Sequence, residues 1–134
     1  MQIDGSCHCG SITYEAEIDP SQVEICHCTD CQTLSGSAYR VTVPVAAGQF
    51  KMSGTPSLYT KTAENGKKRF QAFCPNCGSP IYSCDAVETP AGYHIRVGTV
   101  HQRNQLVPSV QIWCRSARPW VNDLSQLPRV EMEG

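Results

Sequence analysis

Phe73-Cys74-Pro75-Asn76-Cys77-Gly78-Ser79-Pro80 is the stretch on which the fold turns. Two cysteines separated by Pro75 and Asn76 make a tight turn whose backbone N–H groups point at the first sulfur, and Gly78 takes a conformation that a side chain would hinder. Those donors stabilise thiolate, and two sulfurs then fit one metal at about 2.3 Å each, which is half of a tetrahedral zinc site. No βαβ pattern surrounds the pair, so a thioredoxin-like redox use is disfavoured. Cys7 and Cys9, at the other end of the domain, supply the remaining two ligands most simply. A zinc tying residue 7 to residue 77 would close a long loop and hold both ends of a sheet together.

That staple suits the rest of the chain. Its 134 residues are one domain's worth, with room for one modest core, and 10 glycines and 9 prolines punctuate it with turns. Nine cysteines are an odd number, and Met1-Gln2-Ile3-Asp4 opens no secretion signal, so reduced thiols in a cytoplasmic setting are expected. Net charge is −1 and no apolar run approaches a membrane span. The single basic cluster, Lys67-Lys68-Arg69, reads as a solvated hairpin end. Nucleic acid and membrane partners therefore have no electrostatic support.

The pattern is all-β. Alternation of apolar and polar residues predicts strands over Ser11–Glu17, Ala38–Pro44, Phe50–Met52, Ser57–Lys61, Lys67–Phe73, Pro80–Cys84, Tyr93–Val100 and Val107–Cys114. Glu64-Asn65-Gly66 marks a hairpin. Only Thr29–Ser35 reads as helical, with Thr29 or Asp30 as cap and Gly36 as terminator. Sheets packed on one another, with cysteines in the loops, follow. Residues 1–123 form the domain and Leu124–Gly134 a loosely attached tail.

Between the two ends lies Cys26-His27-Cys28-Thr29-Asp30-Cys31. Three thiols with a vacant fourth position are what a catalytic zinc needs, and a substrate thiol entering the vacancy would lose its proton at neutral pH. Other arrangements stay open at this level. The cluster could pair with Cys74 and Cys77, His27 or Asp30 could close it, or its thiols could be metal-free and redox-active. Cys84 and Cys114 read as small buried hydrophobes within strands. His8 and His27 point away from their neighbouring ligands, His94 sits in a strand, and His101 is a surface imidazole rather than a proton shuttle. Arg40, Arg69, Arg115 and Arg118 are candidates for holding substrate carboxylates, with nothing to rank them.

Gly5–Glu15 (GSCHCGSITYE), Cys26–Gly36 (CHCTDCQTLSG), Phe73–Ile81 (FCPNCGSPI) and Arg118–Trp120 (RPW) together resemble the glutathione-dependent formaldehyde-activating enzyme family, which includes centromere protein V. The resemblance spans about residues 5–120. It implies a β-tent of coiled antiparallel sheets around a structural zinc on Cys7, Cys9, Cys74 and Cys77, with a catalytic zinc on Cys26, Cys28 and Cys31. It also implies a carbon–sulfur lyase that joins formaldehyde to glutathione, so a small thiol and an aldehyde are the expected partners. Two features depart from the family pattern: Gln111 stands where His is usual, and Gly98–Gln105 lacks acidic residues. A non-catalytic module that binds a thiol or a protein segment is the competing reading, and a redox or metal-buffering protein is a third.

Overall fold

Ten strands and one helix make up the structure, a computed structural model that describes residues 1–133. The strands are β1 (Gln2–Ser6), β2 (Thr13–Glu17), β3 (Glu24–Cys26), β4 (Arg40–Ala46), β5 (Phe50–Ser53), β6 (Ser57–Thr62), β7 (Lys68–Phe73), β8 (Pro80–Asp85), β9 (Gly92–Arg96) and β10 (Val110–Ile112), and the helix is α1 (Thr29–Ser35). One sheet has three strands in the order β1-β2-β5, and the other has seven in the order β10-β3-β4-β9-β8-β7-β6. The antiparallel sheets expected are present: every neighbouring pair is antiparallel except the short β10 on β3, which run parallel. No helix of the described residues is long and apolar enough to cross a membrane.

The core lies between the sheets. Ile3, Tyr14 and Ala16 face inward from the small sheet, and Val43, Val45, Ala72, Tyr82 and Ile95 from the large one. Aromatic rings bridge the two: Phe50 of β5 meets Tyr14 at 5.6 Å, Tyr82 at 5.8 Å and Tyr93 at 5.0 Å between centroids. Such pairs add about 0.5–1.5 kcal/mol each beyond the area they bury. Gly5 belongs where β1 crosses this junction, since a Cβ there would run into the Tyr14 hydroxyl and the Thr99 carbonyl.

Several boundaries differ from the alternation pattern. Gln2–Ser6 escapes it because a glycine occupies one of its inward positions, and Glu24–Cys26 because three residues show no period. The long strand expected over Tyr93–Val100 stops at Arg96, where Val97–Thr99 turns as a 3-10 segment. Val107–Cys114 shortens to Val110–Ile112: Pro108 has no N–H to give a ladder, and Trp113 takes a left-handed backbone (φ 56°) that ends the strand. Cys114 is therefore not a buried strand residue but an exposed one opening a 3-10 turn, whereas Cys84 is buried in β8 as expected. The helix has the expected span and ends at Gly36, but its cap is the Cys28 sulfur, which accepts from the Cys31 N–H, rather than Thr29 or Asp30.

The opposite face of the large sheet carries what the core does not. Cross-strand register puts Cys26 beside Arg40, Glu24 beside Thr42, Thr42 beside Arg96, and Ser83 beside both His94 and Gln71. Because side chains alternate with period two, this is one continuous polar face. Arg40, Thr42, Ser83 and Arg96 on it are nonetheless buried. Arg69 belongs to the same face, half-buried and donating to Asp85 and Ser83, so the solvated reading fails for that residue of the basic cluster. Lys67 and Lys68 are exposed.

Candidate metal centres

The β1–β2 turn of the small sheet and the β7–β8 turn of the large sheet meet through four sulfurs. Cys7, Cys9, Cys74 and Cys77 have Sγ atoms all within 4.8 Å of one another. A tetrahedral ion with ligands at about 2.3 Å sets its sulfurs about 3.8 Å apart. Cys7 and Cys9 are 3.6 Å apart, and Cys9 and Cys74 are 3.8 Å. The donor set thus fits a zinc. The expected turn geometry is present as well: the Asn76 and Cys77 N–H groups reach the Cys74 sulfur at 3.4 and 3.5 Å, and Gly78 has φ 80°. The Ile12 N–H donates to the Cys7 sulfur at 3.3 Å.

Two serines join this cluster, and sulfur spacing alone could not single them out. Ser11 Oγ lies 3.1 Å from the Cys9 sulfur and 3.2 Å from that of Cys74, and Ser79 Oγ lies 3.2 Å from that of Cys77. Hydrogen bonds from the Ser79 hydroxyl and backbone hold the Cys77 thiol down at about 5. Asn76 and Ser11 hold Cys9 down at about 7. Cys74 is instead pushed up, so of the four thiols it is Cys9 and Cys77 whose thiolate forms the surrounding hydrogen bonds favour.

A second cluster sits where β3 runs into α1. Cys26, Cys28 and Cys31 also have their sulfurs within 4.8 Å of one another. Here the chemistry is different. The Cys31 thiol is pushed up by its hydrogen bond to Cys26 and by burial, while Cys26 is pulled down by the same hydrogen bond. Three sulfurs this close cannot all carry charge without a cation among them. Among the described residues no fourth His, Cys, Asp or Glu joins the group. Asp30 is instead ion-paired with Lys61 at 2.9 Å. His27 is buried beside the cluster, its Nε2 2.8 Å from Gln111 Oε1. Gln111 lies on β10, so the residue that departs from the family pattern holds a buried imidazole through the parallel strand pair.

The three thiols open into a cavity of about 350 Å³ on the polar sheet face. Arg40, Arg69, Arg96 and Lys61 give its wall a cationic character, against Glu24 and Asp30, and His94 lies among them. Burial, and then the charge of Arg40, lower the Arg96 guanidinium to about 9. Burial, then Arg69 and Arg96, lower His94 below its ordinary value of 6.5. The folded protein thus holds His94 neutral while the unfolded chain protonates it below about 6.5, and stability is lost as pH falls through that value. His94→Gln is expected to shrink the loss of melting temperature between pH 7.5 and pH 5. An unchanged pH profile in the variant would contradict this assignment.

Of the other candidates, Arg115 stacks on Trp113 at 5.0 Å and lines a neighbouring cavity with Cys28, whereas Arg118 is exposed and lines none of the cavities described. His8 is exposed. His101 is an exposed imidazole 3.2 Å from Asp4, outside the three-thiol cavity. Arg96 is the site residue that sequence reasoning missed. It follows Tyr93, His94 and Ile95 as an ordinary outward strand residue, and only the pairing of β9 with β4, which sets it beside Thr42, brings it to the wall of the three-thiol cavity.

The model of the glutathione-dependent formaldehyde-activating enzyme family matches residues 2–116. A crystal structure of a Rhodobacter sphaeroides protein shares the fold with TM-score 0.61 and 18% identity, covering 81% of this chain and 98% of that one. No curated protein matches the chain. With the family model covering both cysteine clusters and every strand, the chain belongs to the glutathione-dependent formaldehyde-activating enzyme family.

Proposed function

We propose that the protein catalyses addition of a small thiol to an aldehyde, with a structural zinc on Cys7, Cys9, Cys74 and Cys77 and a catalytic zinc on Cys26, Cys28 and Cys31. The observation that carries this reading is the three-sulfur cluster, with no fourth protein ligand among the described residues, opening into a cationic cavity. An ion held there supplies a position at which an incoming thiol, glutathione or a similar compound, loses its proton near neutral pH. In the addition, a bond forms between the sulfur and the carbonyl carbon. The carbonyl π pair moves to oxygen, and the oxygen takes up the proton that the thiol gave up. The chain's own contribution is to fix the sulfurs through the Cys28 cap and to orient the approach across a polar face that carries buried cations.

All nine cysteines are unpaired, which supports a reducing, cytoplasmic setting. The family match ends at residue 116, which supports a working domain over 1–123 and a tail beyond it. The test is an assay of zinc-loaded protein with glutathione and formaldehyde, following adduct formation. A rate well above the uncatalysed reaction is expected. Tight thiol binding without turnover would instead identify a binding module.

A further inference from the structure

Arg40 and Arg96 are 5% and 8% exposed, yet among the described residues neither makes an ion pair with a carboxylate. Arg69 and Lys61, the other cations of the cavity, have theirs in Asp85 and Asp30. What the two buried guanidinium groups share is one amide oxygen: Gln71 Oε1 accepts from Arg40 Nη1 at 3.2 Å and from Arg96 Nη2 at 2.6 Å. Among the described residues the buried Arg96 Nε–H has no acceptor. Neither group hydrogen-bonds a cysteine sulfur among the described residues, although N–H donors elsewhere in the fold do. Burying a cation is costly unless it is paired, and a guanidinium offers a fork of N–H donors matched to two oxygens of one carboxylate. Both residues line the three-thiol cavity and also an adjoining cavity of about 350 Å³ walled by Tyr59, Phe73 and Tyr82.

We propose that Arg40 and Arg96 form a carboxylate subsite beside the three-thiol centre, so that one reactant taken there is a small organic acid whose carboxylate lies on the guanidinium pair while its sulfur or carbonyl carbon reaches Cys26, Cys28 and Cys31. The adjoining cavity gives the remainder of such an acid room against aromatic walls. This deepens the catalytic reading by naming a substrate class for the same site.

Calorimetry on the zinc-loaded protein tests it with two pairs of probes: 3-mercaptopropionate against 3-mercaptopropionamide, and 4-oxobutanoate against its amide. A tenfold or greater preference for the acid in the first pair assigns the carboxylate to the thiol, and in the second pair to the aldehyde. A smaller preference in both pairs overturns the subsite. Arg96→Lys and Arg40→Lys keep charge but lose the fork, and each is expected to reduce the preference to threefold or less with two zincs per chain retained. Loss of zinc with the preference intact would show that the arginines serve only to balance the thiolates, and would overturn the proposal. Binding is read without turnover, so a protein that prefers the acids but forms no adduct defeats the catalytic reading alone.

Discussion

Stripping metal from the protein with a chelator is expected to lower its melting temperature by roughly 15 °C or more. Structural zinc sites contribute on the order of 10–16 kcal/mol in small domains, comparable to the whole stability of a protein of this size, about 5–15 kcal/mol. Even a net loss of about 5 kcal/mol, at about 3 °C per kcal/mol, gives that shift. The geometry explains why the effect should be global. Cys7 and Cys9 belong to a turn of the small sheet, Cys74 and Cys77 to a turn of the large one, and the core lies between the two sheets. Cys77→Ser should reproduce most of the loss. A chelated protein that melts where the loaded one does would exclude a structural metal at these four sulfurs.

Cys31→Ser is expected to leave melting nearly unchanged while removing one of two zincs per chain and lowering kcat/KM for adduct formation by roughly 10³ or more. Loss of groups that merely orient a metal's ligands costs about 10–100-fold, and loss of a ligand should cost more. The fold should tolerate the change because Cys31 is only half-buried, lies on a seven-residue helix, and takes no part in the sheet ladders. A variant that keeps full activity would show that the three-thiol cluster is not the reaction centre, whereas one that unfolds would make the cluster a second structural clasp.

The cysteine turns were legible because their chemistry is local: Cys74-Pro75-Asn76-Cys77-Gly78 dictates its own N–H to sulfur contacts, and the helix at Thr29–Ser35 is stopped by Gly36, although its cap, the Cys28 sulfur, was not the one expected. Strand alternation was legible for the same reason, but it misled about solvent. A polar residue at every second position reads as a wet face, and Arg40, Thr42, Ser83 and Arg96 are buried instead. What buries them is nonlocal: all seven strands of the large sheet contribute to one surface, and α1 and Trp113 flank it. No window of sequence contains the register that sets Cys26 beside Arg40 or Thr42 beside Arg96. Gln71, which takes two guanidinium groups on one oxygen, looks in the chain like any outward-facing strand residue.

The four-sulfur clasp has a thermodynamic corollary. Cys9 and Cys74 are 65 positions apart, so each turn offers the ion only half a cage until the layers dock. Ion affinity and interlayer docking are then reciprocal quantities, each strengthening the other by the same factor. How tightly the four sulfurs would grip an ion is then expected to gauge how well Phe50 seats among Tyr14, Tyr82 and Tyr93, with damage to that aromatic seam registering as weaker metal retention at a cluster it never touches.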